Sequence, residues 1–191
     1  MPLGKHVATF GARTIVLYQK QNMTNLRYDT WAWVRDEDTG QTSRFLLQAG
    51  PSYRRVETDY VLTSATDLVV LSYDRNLGGQ MLVTQFRLNG TGVPTSATVV
   101  GSTAFGDANS RPKSMIRLSS GAVVFGWHQE GPANADGSVN VGFAYRGAGG
   151  AWSTVYPVVL SDPSGGTLTL SEMALAQHPV DGSVWAFSKR D

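Results

Sequence analysis

Apolar positions along the chain come in short runs, each broken by Gly, Asn, Asp or Pro, which is the mark of strands joined by turns. Val139, Val141, Phe143 and Tyr145 alternate with Asn140, Gly142 and Ala144, a period of two with one buried face. The runs 68–71 and 122–125 are continuously apolar, which predicts strands covered on both faces. Only 168–177 also fits a helical period. Its β-like neighbour, 182–187, and the repeat described next place it in a strand. The pattern predicts an all-β chain.

Internal repeats set the architecture. The segment 113–129 aligns without gaps on 5–21, an offset of 108 residues. Half that offset, 54, lays Asp67-Leu-Val-Val-Leu-Ser-Tyr-Asp74 on Gly121-Ala-Val-Val-Phe-Gly-Trp-His128. A fourth copy, Asp181-Gly-Ser-Val-Trp-Ala-Phe187, follows with Gly182 about 61 residues after Gly121. Each copy opens with a hairpin of strands A and B. An alternating strand C follows at 27–35, 80–88 and 138–146, then a short apolar strand D at 44–48, 97–101 and 153–160. Four antiparallel strands at a period near 50 match the size of a β-propeller blade. An evenly spaced sandwich is the alternative. The expected fold is a single domain over 1–191, with blades at 5–50, 55–102 and 111–161 and a partial one at 169–191. That is an incomplete ring of about three and a half blades. Val70, Val123, Phe125, Val141, Phe143, Trp33 and Trp152 are its expected core.

Composition narrows the class. The 191 residues carry 16 Lys+Arg against 15 Asp+Glu, a net charge of +1, without the basic excess of a nucleic-acid or anionic-membrane binder. Only 16 % of residues are charged while 41 % are apolar, so the chain folds. Cysteine is absent, which excludes disulfides, thiolate metal sites and cysteine nucleophiles. No apolar run approaches the roughly 18 residues of a spanning helix, and 1–10 lacks the apolar core of a secretory signal. The expected setting is extracellular or on a particle surface. Asn22-Met-Thr24 and Asn89-Gly-Thr91 match the glycosylation sequon, at a frequency close to chance.

The C–D turns carry a family likeness. One reads Asp36-Glu-Asp38-Thr-Gly40-Gln-Thr42-Ser43; its counterpart reads Tyr145-Arg-Gly-Ala-Gly149-Gly-Ala-Trp152-Ser. They resemble two halves of the Asp-box, Ser-x-Asp-x-Gly-x-Thr-Trp, of the bacterial neuraminidase repeat. The first keeps Asp38, Gly40 and Thr42 and lacks the Trp; the second keeps Gly149 and Trp152 and lacks the Asp. Such a carboxylate accepts backbone N–H groups, the Gly allows positive φ, and the Trp packs between sheets. The chain thus resembles the sialidase-like propeller superfamily, in which the Asp-box is a folding element remote from the active site. Sialidases of that superfamily use an arginine triad, a Tyr–Glu nucleophile pair, an Asp acid/base and an Arg-Ile-Pro signature early in the first blade. Here the first blade opens Gly4-Lys-His-Val-Ala-Thr-Phe10, and Arg111-Pro112 is the nearest echo. Arg27, Arg55 and Arg111 are isolated in sequence, and surface ion pairs account for most such arginines.

Other chemistries find little footing. There is no Gly-x-Ser-x-Gly elbow, His-Glu-x-x-His helix, Walker loop or dinucleotide fingerprint. His6, His128 and His178 fall in different copies without ligand spacing. Asn134-Ala-Asp136-Gly-Ser138 resembles part of a calcium loop but lacks the later acidic ligands, and a plain turn fits it better. No cofactor or metal is implied.

In a propeller the D–A and B–C loops share one face, so strand B ends and strand A starts meet at the channel mouth. Strand B ends supply Gln19-Lys-Gln21, Asp74-Arg75, Trp127-His128-Gln-Glu130 and Lys189-Arg-Asp191; strand A starts supply Asp59, Arg111, Lys113 and Glu172. The candidate ligand contacts are Asp74, Arg75, Arg111, Lys113, Trp127, His128, Glu130 and Glu172, with no catalytic set. Amides, charges and aromatic rings suit a sugar's hydroxyls and C–H face. Any solvated mouth is polar as well, which is the plainer reading. Three functions are expected in this order: a non-catalytic glycan-recognising module, a sialidase-like glycoside hydrolase fragment, and a structural or protein-binding scaffold. Expected partners are a glycan and either a second copy or a further chain segment that completes the ring. Nucleic acid and membrane insertion are not expected.

Overall fold

The computed structural model describes residues 7–50, 57–73, 81–105, 110–129, 134–153 and 156–190. Among them every regular element is a strand. The first sheet holds β1 (Ala8–Phe10), β2 (Arg13–Gln21), β3 (Tyr28–Asp36) and β4 (Thr42–Gln48). The second holds β5 (Glu57–Leu62), β6 (Asp67–Tyr73), β7 (Met81–Asn89) and β8 (Ser96–Phe105). The third holds β9 (Ser110–Arg117), β10 (Val123–Gln129), β11 (Val139–Arg146) and β12 (Tyr156–Leu160). A two-stranded fourth pairs β13 (Leu170–Gln177) with β14 (Val184–Arg190). In each sheet spatial order follows chain order, an up-and-down meander. The all-β class and the repeating A-B-C-D order are therefore observed, and 168–177 supplies a strand, not a helix.

The chain divides between Ala104 and Phe105 into two compact units. In the first, Ile15, Leu17, Ala32, Val34, Phe45 and Leu47 of the first sheet form one apolar layer with residues of the second, including Tyr60, Leu62, Leu68 and Phe86. Polar links cross that layer's border, among them a bond from the Ser43 hydroxyl to the Pro94 carbonyl. The Tyr60 hydroxyl accepts the Leu17 N–H at 3.1 Å, and Arg13 donates to the Gly92 carbonyl at 3.1 Å while facing Asp36 at 3.4 Å. Val69, Leu71, Met81 and Val83, on the other face of the second sheet, are buried too, as the continuous run 68–71 predicts.

In the second unit, Ala122, Val124, Val139 and Val141 pack against Leu170, Met173 and Leu175 of the fourth sheet. The opposite face of β10 carries Phe125, whose ring meets Phe105 at 5.1 Å and Trp152 at 5.3 Å, both edge-to-face. Val70, Val123, Phe125 and Val141 are buried as expected, whereas Trp33, Phe143 and Trp152 are only partly covered. Trp33 lies on the face of β3 opposite the buried Ala32 and Val34, and Phe143 sits at the rim of its layer.

The repeat register shifts at the turns. Phe10 pairs with Arg13 around a two-residue turn, but Arg117 pairs with Val123 around five. The 108-residue match therefore follows strand B and slips along strand A. The second and third hairpins share one turn length: Leu62 pairs with Leu68, and the Thr63 N–H donates to the Asp67 carbonyl as Leu118 does to Ala122. Their structural offset is 55, not 54, and it places Tyr73 on His128. In the first C–D turn the working carboxylate is Asp36, which accepts the Thr39 N–H at 2.9 Å and its hydroxyl at 3.0 Å; Asp38 is exposed.

Candidate functional site

Strand β10 ends, β9 begins and β11 begins at one end of the third sheet. There Arg111 lies directly across from His128, and Ser110 across from Gln129. The His128 Nδ1 atom is 2.9 Å from the Gln129 carbonyl. A slip in register between Gly126 and Trp127 re-aims the end of β10. Beyond the buried pair lies a group of amides. Asn140 donates from Nδ2 to Gln129 Oε1 at 2.8 Å, and its amide meets that of Asn134 at 3.4 Å. Asn134 in turn donates to the Ser138 hydroxyl at 2.9 Å.

A tight turn holds this group. Gly137 donates to the Asn134 carbonyl at 2.7 Å with φ at 81°, a conformation that favours glycine. The Asp136 carboxylate accepts the Ser138 hydroxyl at 2.6 Å and the Ser138 N–H at 3.0 Å. Those two bonds, the hydroxyl's first, hold its pKa below the ordinary 3.8, so it is ionised near neutrality. The same Asp-Gly-Ser device recurs at Asp181, where the Ser183 N–H and hydroxyl lower the pKa again. The calcium-like sequence thus forms a turn closed by its own serine.

Of the eight expected contacts, the sheet brings Arg111 and His128 together. Trp127 is their neighbour but points to the opposite face, where its ring packs 5.4 Å from Phe125 and lies over Gly142. Trp127 is only 5 % exposed, so it is not available to stack on a sugar. Across the strands Trp127 pairs with Gly142, whose missing side chain leaves room for the ring. Lys113 is half-buried further along β9. Glu172 is exposed on β13, paired with Lys189 in the fourth sheet. Asp74, Arg75 and Glu130 lie outside the described residues, as does Arg55. Asp59 is buried and accepts the Tyr60 N–H at 2.8 Å, a local structural role. The amides of Asn134 and Asn140 were not among the expected contacts. Their only sequence signal is their position flanking the turn that opens strand C. Among the described residues no group of three or more His, Asp or Glu side chains is placed to hold a metal ion.

No protein-family model matches the chain, and no curated protein matches it either.

Proposed function

We propose that the chain is a β-propeller-type module that recognises a glycan without transforming it. The binding position is the end of the third sheet, where strand B finishes and strand C starts. The observation that carries this reading is the hydrogen-bonded amide group Gln129–Asn140–Asn134. Planar amides offer a donor and an acceptor side by side, which matches the hydroxyls of a pyranose. The buried Arg111 and His128 behind them hold the end of the sheet rigid, as a preorganised site requires. The propeller geometry is supported by successive four-stranded meanders packed face to face inside the first unit.

A glycan array run on the chain and on the double variant Gln129→Ala/Asn140→Ala tests the proposal. Binding to one sugar class, weakened at least about tenfold in the variant, is expected. A blank array overturns it, and turnover of a fluorogenic sialoside overturns its non-catalytic part in favour of a sialidase-like hydrolase. The burial of Arg111, Trp127 and His128 favours a second reading, a protein-binding scaffold in which this end is purely structural.

A further inference from the structure

Five side chains where β10 ends and β11 begins form one hydrogen-bonded chain, running from Asp136 through Ser138, Asn134 and Asn140 to Gln129. We propose that this chain makes the site a selector for uncharged sugars: it receives hydroxyl groups as donors and rejects sugars that carry a carboxylate or a sulfate. The proposal rests on the glycan reading above and names the class of sugar within it.

The direction of the chain follows from its first member. An ionised carboxylate accepts hydrogen bonds and donates none. Asp136 is in that state near neutrality, so the Ser138 hydroxyl proton is committed to its Oδ1 atom at 2.6 Å. The Ser138 oxygen is then left to accept, and Asn134 presents Nδ2 to it at 2.9 Å. That fixes which end of the Asn134 amide is nitrogen. The second Nδ2 proton of Asn134 goes to Asn140 Oδ1, and Asn134 Oδ1 receives Asn140 Nδ2, both at 3.4 Å. The remaining Asn140 Nδ2 proton goes to Gln129 Oε1 at 2.8 Å. Turning any of these amides over sets oxygen against oxygen or N–H against N–H.

The donors are therefore occupied inside the chain and the acceptors are not. Each amide oxygen accepts one bond and keeps a second lone pair. Asp136 is exposed, so its carboxylate also faces solvent. Among the described residues, Gln129 Nε2 is the donor of this chain that remains for a ligand. A sugar hydroxyl both donates and accepts, so it satisfies the oxygens and takes the Gln129 N–H as well. A carboxylate or sulfate brings acceptors alone and meets lone pairs and a like charge. Arg111 and His128, the basic groups of this sheet end, are enclosed, and Lys189 on β14 stands across from Glu172.

The backbone holds the chain still. The Gly137 carbonyl accepts the Leu168 N–H at 2.9 Å, which ties the turn to the segment 162–168. There the buried Asp162 accepts the Ser164 N–H at 2.9 Å and its hydroxyl at 2.7 Å. Selection by lone pairs needs that rigidity, because a mobile amide turns over to suit either ligand.

The test is an array of matched pairs probed with the full chain: hexosides against hexuronic acids of the same ring stereochemistry, with sulfated hexosides alongside. At least one neutral hexoside is expected to bind about tenfold or more tightly than its acidic counterparts. Asp136→Asn removes the charge while Asn-Gly still suits the turn. Ser138→Ala cuts the link between carboxylate and amides and keeps the backbone bond to Asp136. Each is expected to shrink the ratio to about threefold or less, with a cooperative thermal melt reporting that the variant is folded. An acidic sugar bound as tightly as its neutral partner overturns the proposal and leaves the glycan reading standing, as does an unchanged ratio in a folded variant. A blank array overturns the glycan reading itself, and this selectivity with it.

Discussion

Arg111 and His128 stand directly opposite one another across β9 and β10, and both are buried, at 6 % and 2 % exposure. Residues whose polar groups are already enclosed contribute first to the stability of that sheet end. Replacing His128 by Ala is expected to lower stability by about 2 kcal/mol, read from a urea transition followed by tryptophan fluorescence. A loss under about 0.5 kcal/mol places the imidazole among surface groups and returns it to the list of direct ligand contacts.

Phe125 and Phe143 separate core from rim. Phe125 is fully enclosed by Phe105, Trp127 and Trp152, so Phe125→Ala is expected to cost about 3–5 kcal/mol. Phe143 borders a groove beside β14, and Phe143→Ala is expected to cost about 2 kcal/mol, since part of its ring already meets solvent. Equal costs in thermal melts contradict the partial exposure of Phe143.

Gly142 makes room for a ring. A Cβ at that position runs into the Trp127 indole, so Gly142→Ala is expected to destabilise by about 1–3 kcal/mol. Trp127→Leu shortens the side chain and is expected to relieve much of that cost in the double variant. A double-mutant cycle measures it; strict additivity contradicts the contact.

The Asp-Gly-Ser turns carry a pH signature. Asp136 and Asp181 have folded pKa values below the ordinary 3.8, through their serine hydrogen bonds. Because the folded values are depressed, this stabilisation is fully present above the ordinary carboxyl range and is lost as pH falls through the lowered values. The Ser138 and Ser183 amide resonances are expected to titrate together with their aspartates, with midpoints below pH 3.8. Movement centred at higher pH contradicts the hydrogen-bonded turns. Asp181→Ala is expected to abolish the transition at Ser183 alone.

Strand identity was legible in the sequence because a period of two and turn-forming residues act locally. The alternation from Val139 to Tyr145 is β11, and the ambiguous 168–177 resolved correctly once its repeat partner was considered. The continuous runs 68–71 and 122–125 likewise announced strands buried on both faces. Turn length was not legible. Side-chain matching set the offset at 54, while the backbone bonds Thr63–Asp67 and Leu118–Ala122 set it at 55. The choice of Asp36 over Asp38 has the same cause, since it depends on which carboxylate the folded backbone brings to Thr39.

The site divides along the same line. Sequence located the end of β10 as a polar strand end and named Arg111 and His128, which pairing then placed together. It could not show that Trp127 turns inward, because that depends on Gly142 lying opposite and on Phe125 closing the far side. Nor could it select Asn134 and Asn140, which are ordinary loop and strand residues until a Gly137 turn folds one amide against the other. Local propensity determines where strands form. Which side chains face solvent at their ends is decided by what packs across from them, and that is set only when the sheets close on one another.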